Sequence, residues 1–397
     1  MTPATGRRAR AQIALAIVVG VMTLSSWFAT SAAAPSLERA GIFSGSLAPT
    51  IAVQAGFAVG AIAVGLTRLA DRSSPARLVP AGAVVAIVLT LLPIVVPTLP
   101  AILASRTLLG ATLALIYPTV MRSTLSWAGP RWRALAVAGI VAALTVGSAL
   151  PQLFGALPSL DWEGIFVTSA ILTGIGGVLA FALRTGPQLP PMRPTSFRSL
   201  RVVVGNPLQR KITVAYLGHM WEVYGLWVCL PMVLAALPHT AGLDVGTRSV
   251  LAFGLIGVAG TVGCVAGGML SSRWGEYRSA LLIASACGVV AVATVFLAGS
   301  STVLIVGFLA LWCALAIADS GLYSALTGRV SGDEAAGTAI ALQMGLGYAV
   351  TAGMLGLPQL SAFLSGSWRI GLAVLLVGSL ASFAALIGGD RGRSLSV

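Results

Sequence analysis

Four ionisable side chains stand inside long apolar stretches of this sequence: Arg106, His219, Glu222 and Asp319. A charge at the centre of a bilayer costs about 2.5–3.5 kcal/mol on insertion scales, so such groups need a partner or a cavity. Carboxyl and imidazole groups can exchange protons reversibly, and a guanidinium can hold an anion. Two carboxyls face one arginine here, so at least one carboxyl has no arginine partner, which suits proton uptake and release. Glu222 is expected to carry the proton, with Asp319 second, and His219 either relays it or holds Glu222 by a hydrogen bond. The competing reading is that these groups only clamp helices together.

Helical spacing sorts the groups onto faces. Arg106, Gly110, Leu113 and Tyr117 share one face, Trp312, Ala316, Asp319 and Tyr323 share another, and His219 and Glu222 stack on one side with Cys229. Arg106 lies about 9 Å from one end of its stretch at 1.5 Å per residue, Glu222 lies near the middle, and Asp319 lies toward the other end. Arg106 therefore either binds an anionic solute group or shapes the mouth at that end. The aromatic residues Trp27, Trp221, Tyr224 and Trp227 fit an amphipathic organic solute, and Arg106 fits a small anion; the sequence leaves both open. No His-Glu-x-x-His, aspartate-rich, Gly-rich phosphate or Ser/His/Asp pattern supports an enzyme. Cys229, Cys264, Cys287 and Cys313 lack metal-site spacing, so neither a metal nor a cofactor is expected.

The elements that must position these groups are membrane spans. Hydrophobic residues make up 57% of the 397 residues and charged residues 9%, with a mean hydropathy of +0.95. A soluble domain carries roughly a quarter of its residues as charges. Spans of roughly 20 apolar residues can be read at 11–33, 44–68, 78–97, 100–122, 132–156 and 164–184, then at 211–236, 248–271, 279–299, 302–325, 335–358 and 368–388. The net charge of +13 sits in clusters between the spans, which argues against nucleic acid as a partner. With the N-terminus inside, twenty of the 24 basic side chains fall in inner segments and only Arg39, Arg248 and Arg369 fall outside. That split places both termini in the cytoplasm. Ser31-Ala32-Ala33-Ala34 resembles a cleavage site, but the preceding apolar stretch is long for a signal peptide, so the first span is expected to be retained.

A polar interruption at 185–210 divides the chain into an N-terminal bundle, 1–184, and a C-terminal bundle, 211–397. Within it Gly186-Pro187 and Pro190-Pro191 stop the sixth helix, and Phe197, Leu200 and Val204 share a face suited either to an interfacial helix or to a loop. The halves repeat: Gly65 to Arg72 ends the second span, and Gly268 to Arg278 ends the eighth, with Asp71 aligned on Ser272 and Arg72 on Arg273.

With Leu69-Ala70-Asp71-Arg72 in that loop and Arg106 followed by Gly110, the sequence resembles the major facilitator superfamily along essentially its whole length. Thr67 and Ser74 replace two glycines of the family's loop signature, and Leu150-Pro151 stands where exporters often carry Gly-Pro. Segments 218–224 and 318–324 resemble a bacterial subgroup grouped with cyanate and nitrate transporters. The resemblance implies an all-α protein of two pseudo-symmetric six-helix bundles in the cell membrane, monomeric, moving a small solute by alternating access with protons as the coupling ion. An uncoupled facilitator, a small-anion carrier and a non-transporting sensor are the alternatives. It also implies that helices one, four, seven and ten line a central cavity, so that Arg106, Tyr117, His219, Glu222, Trp227, Asp319, Tyr323 and Trp27 form the solute and proton pathway. Asp71, Arg72 and Arg77, with Arg273 in the second copy, are expected to gate the cytoplasmic side, meeting a capping box of Ser331 and Glu334.

Overall fold

A computed structural model describes residues 3–43, 47–67, 69, 73–129, 132–188, 205–297, 300–357 and 365–387. Among them every regular element is helical, as hydrocarbon demands of a chain that must satisfy its own backbone groups. Ten helices are long and apolar enough to cross a membrane: Ala48–Thr67, Pro75–Val95, Leu99–Leu125, Arg133–Gly155, Trp162–Ala180, Pro207–Ala236, Val245–Trp274, Glu276–Phe296, Thr302–Gly332 and Trp368–Ile387. The first span makes eleven; it is broken, running as Pro3–Thr23 and Ala29–Arg39 around turns at residues 24–28. The shorter apolar helix Ala339–Met354 makes twelve.

Local chemistry fixes several ends. Asp161 caps the sixth span by accepting from the Gly164 amide at 3.1 Å, and Asn206 caps the seventh through Leu208 at 3.0 Å, with Pro207 in its first turn. Asp244 caps the eighth through the Thr247 amide at 3.0 Å. Gly332, at φ +68°, separates the tenth from the eleventh span, and Gly275, at φ +80°, separates the eighth from the ninth. The tenth span thus continues past its expected end at 325, through Gly328, to the positive-φ Gly332.

The two six-helix bundles are built alike. The second span approaches the fourth so closely that a Cβ on Gly56 would lie 1.8 Å from the Thr107 carbonyl oxygen, and Gly60 meets Ala111. In the other half Gly263 meets the Ala314 carbonyl oxygen at 1.8 Å in the same sense, and Gly267 meets Ala318. One constant offset relates all four pairs, so the repeat extends from the loops into the helix packing. That offset exceeds the one aligning Asp71 with Ser272, because the first half carries a longer connection between Gly60 and its third span. Between the halves, the second span lies along the eleventh and the fifth along the eighth.

Asp71 and Arg72 lie outside the described residues, as do Phe197, Leu200 and Val204 of the linker. Arg77 and Arg273 are exposed. The start of the linker is pinned to the fourth span: Trp127 Nε1 donates to the Arg184 carbonyl at 2.7 Å, and the Gly186 amide donates to Ser126 Oγ at 2.7 Å. Ser331 Oγ donates to Gln209 Oε1 at 3.1 Å; its expected capping partner, the Glu334 side chain, lies outside the described residues.

Candidate functional site

The polar stripes of the seventh and tenth spans face each other. The helices run antiparallel, so ascending one descends the other, and the stripes meet in successive rungs. Trp312 Nε1 donates to Glu222 Oε1 at 2.5 Å. His219 Nδ1 stands 2.7 Å from Asp319 Oδ1, both side chains buried. The Tyr216 and Tyr323 rings lie edge to face at 6.1 Å, and Gln209 Nε2 donates to Thr327 Oγ1 at 3.2 Å.

The rungs separate residues that the sequence had grouped. Glu222 Oε1 also accepts from Ser379 Oγ at 2.5 Å and Cys287 Sγ at 3.2 Å. Its carboxyl is therefore enclosed by spans seven, nine, ten and twelve, inside the C-terminal bundle, instead of facing a central cavity. The partner of His219 is Asp319, one turn away from the expected Glu222. Trp221 also leaves the cavity, donating its indole N–H to the Val374 carbonyl on the twelfth span at 3.1 Å.

Arg106 is fully buried, and its guanidinium meets backbone oxygens and lines neither cavity described below. Pro93 has no amide proton, so the Leu89 carbonyl four residues earlier loses its helical donor. Arg106 Nη2 donates to that carbonyl at 3.2 Å. It also reaches the Thr90 carbonyl, and through Nη1 the Ser26 carbonyl in the break of the first span, each at 3.5 Å. Its guanidinium carbon lies 5.2 Å from the centre of the Phe166 ring. The guanidinium is a clamp on backbone oxygens freed by a proline and a helix break, turned away from both cavities described next.

Between the halves lies a cavity of about 440 Å³, lined by the ends of the first, fifth and seventh spans opposite the N-terminus and by the starts of the second and eighth. Phe28, Trp227 and Cys229 line it, with Thr30, Ser31, Thr50, Ser148 and Gln152 as neutral polar groups and Glu38 as a carboxylate. Nearer the N-terminal side, a much smaller cavity of about 20 Å³ is lined by Tyr117, Tyr216, His219, Tyr224, Ser324 and Tyr348, among others.

An aromatic partition divides the two. Trp27 packs on Phe57 at 4.8 Å and on Tyr348 at 5.6 Å, Phe57 packs on Tyr348 at 4.1 Å, and Phe28 meets Trp227 at 6.3 Å. The Tyr224 and Tyr348 hydroxyls share a hydrogen bond of 2.7 Å. Both halves contribute, so a solute passing between them must part this layer. Trp27 stands in this layer, Trp227 lines the larger cavity, and Tyr117 and His219 line the smaller one. Asp319 and Tyr323 stand behind His219, while Glu222 and Arg106 line neither cavity. Phe28, Phe57, Tyr348 and Ser379 were not singled out by the sequence, since single aromatic or hydroxyl residues in an apolar helix carry no pattern. Among the described residues no group of three or more His, Cys, Asp or Glu is placed to hold a metal ion.

Comparison with known proteins agrees with this architecture. The family model of the Major Facilitator Superfamily matches residues 15–356. No curated protein sequence gives a significant match. Among solved structures, the Escherichia coli fucose:proton symporter superposes with a TM-score of 0.71 at 12% identity, covering 96% of this chain and 98% of that one. A proton:xylose symporter gives 0.71 at 14%, covering 96% and 94%, and a human organic anion transporter gives 0.72 at 14%, covering 95% and 99%. At these identities the superpositions speak to the fold alone. The family match over most of the length carries the identity: this chain belongs to the Major Facilitator Superfamily, and it is a multi-pass membrane transporter.

Proposed function

We propose that this protein is a proton-coupled secondary transporter of the cytoplasmic membrane that moves a small organic solute by alternating access. Both termini lie in the cytoplasm in this reading, the bundles are residues 1–184 and 211–397, and the monomer is the working unit. The observation that carries it is the pair of cavities between the halves, parted by the aromatic layer, with His219 lining the inner one and Asp319 at 2.7 Å behind it.

His219 and Asp319 are the coupling pair. A proton reaching the imidazole from the cavity makes the contact an ion pair, and its loss leaves a carboxylate beside a neutral ring. The alignment of the seventh and tenth spans thereby depends on protonation. Glu222, held by three neutral donors within one bundle, sets the position of the Trp312 rung. Two proton symporters among the superposed structures agree with coupling by protons. The small-anion reading loses its main support, because Arg106 is engaged by carbonyl oxygens.

The test is reconstitution into proteoliposomes with a compound first found by thermal stabilisation of the purified protein. Accumulation above the external concentration under an imposed pH gradient is expected. Flux that only equilibrates, whatever the gradient, refutes the coupling and leaves a facilitator.

A further inference from the structure

Among the described residues that line the larger cavity, a single one carries a formal charge. It is Glu38; no lysine, arginine or histidine stands with it. One face of the helix Ala29–Arg39 supplies Ser31, Ala34, Pro35 and Glu38 to the lining, the spacing of neighbours on successive turns. At 1.5 Å per residue the carboxylate stands about 10 Å beyond Ser31, on the side away from the aromatic layer. Glu38 is exposed there, whereas Phe28 and Trp227 at the other end of the cavity are buried.

The basic side chains on that side of the protein are turned to backbone oxygens. Arg39 Nε donates to the Pro35 carbonyl at 3.3 Å, and Arg248 Nη1 donates to the Ala241 and Leu243 carbonyls at 2.9 and 2.8 Å. Neither arginine lines the cavity. The smaller cavity has the same bias: no lysine or arginine lines it, and the Asp319 carboxyl stands behind its His219. An anion that lost its water would meet no counter-charge in either cavity, whereas a cation meets a carboxylate at the mouth.

The walls suit the same class. Phe28, Phe43 and Trp227 line the cavity, and aromatic rings attract cations as well as apolar groups. Thr30 also lines it and is 4% exposed, and its Oγ1 has no hydrogen-bond partner among the described residues. Buried hydroxyls are normally paired, and a polar group of a solute can complete this one. We propose that the larger cavity selects an organic cation, an ammonium or guanidinium head on an apolar body. Glu38 holds the head at the mouth, Phe28 and Trp227 take the body, and Thr30 Oγ1 bonds a polar group at the inner end. About 440 Å³ is room for such a molecule. The inference rests on the transporter reading and adds the charge class of the solute.

The test uses purified full-length protein and three sets of probes on shared carbon skeletons: aryl-alkyl ammonium ions, aryl-alkyl alcohols and aryl-alkyl carboxylates. Thermal stabilisation and equilibrium binding should favour the ammonium set by about ten-fold or more at low salt, a preference that narrows as salt screens the exposed carboxylate. Glu38→Gln should abolish the preference while the unliganded protein still melts cooperatively, which shows that it folds. Glu38→Asp, which keeps the charge, should retain part of it. A carboxylate or alcohol as the tightest probe, an ammonium set that never stabilises, or an ammonium preference unchanged in Glu38→Gln would each overturn the inference. Those outcomes leave proton-driven accumulation untouched. Conversely, ammonium binding that needs Glu38 but no accumulation under a pH gradient would refute the coupling and keep the solute class.

Discussion

Replacing Arg106 tests whether the guanidinium is a backbone clamp. Arg106→Met removes the 3.2 Å bond to the Leu89 carbonyl, about 1.5–3 kcal/mol for a charged donor, and the contact with Phe166, about 0.5–2 kcal/mol. The two contacts at 3.5 Å lie at the limit of hydrogen bonding and add little. Against these losses, the variant no longer holds a charge in the membrane interior, a relief of about 2.5–3.5 kcal/mol. The terms nearly cancel, so the single variant says little. The informative quantity is the coupling with Pro93. Pro93→Ala returns an amide proton to the third span, where it can bond the Leu89 carbonyl and take over Arg106's task. In that background Arg106→Met should cost less by about 1–2 kcal/mol, the lower part of the range for leaving a buried carbonyl unpaired. Equilibrium unfolding in mixed detergent micelles, run on the four proteins of the double-mutant cycle, measures it. Additivity within about 0.5 kcal/mol would refute the clamp and return Arg106 to the candidates for solute binding.

Further predictions follow from the packing and the site. Glu222→Gln keeps an acceptor for Trp312 and Ser379 and should retain accumulation driven by a pH gradient, whereas Asp319→Asn and His219→Ala should lose it while still exchanging labelled for unlabelled solute. The reverse pattern would restore Glu222 as the coupling group. Gly56→Ala or Gly263→Ala puts a Cβ 1.8 Å from a carbonyl oxygen and should destabilise the fold by about 3 kcal/mol or more, seen as lost monodisperse protein; Gly254→Ala, with open space around it, should be tolerated. The Asp244 carboxyl is held below the usual aspartate range, first by the Thr247 hydroxyl and then by its amide. A depressed value means its stabilisation is present above about pH 4 and is lost as the pH falls through the folded-state value. Asp244→Asn keeps the cap and should flatten that acid limb in a melting-temperature profile.

Much of the fold was legible because hydrocarbon imposes a simple code of apolar runs with basic residues between them. The break at residues 24–28 was not, since Ser25, Ser26 and Trp27 include no proline or glycine to announce it. Faces were legible and partners were not. Periodicity put His219 with Glu222, and Trp312 with Asp319, but it cannot say which neighbouring helix each face meets. Once the seventh and tenth spans dock antiparallel, the same stripes yield Glu222 with Trp312 and His219 with Asp319. Arg106 and Tyr117 share a stripe, yet Tyr117 reaches the inner cavity while Arg106 meets the third span. Eleven residues of helix run past more than one neighbour. The clue to Arg106 was present in Pro93: a proline inside an apolar span leaves a carbonyl that something must satisfy.

The proposed alternating access makes the aromatic layer a barrier that opens to one side at a time. Single cysteines at Ser31, on the larger cavity, and at Ser324, on the smaller one, can be placed in a protein carrying Cys229→Ala and labelled with a membrane-impermeant maleimide from either face. Without solute, Ser31→Cys should label from the face opposite the N-terminus and Ser324→Cys from neither. A transported solute and acid pH together should lower the first rate and open Ser324→Cys to the N-terminal face. Rates that ignore solute and pH, or Ser31→Cys reached from the N-terminal face at the outset, would contradict alternating access through this layer.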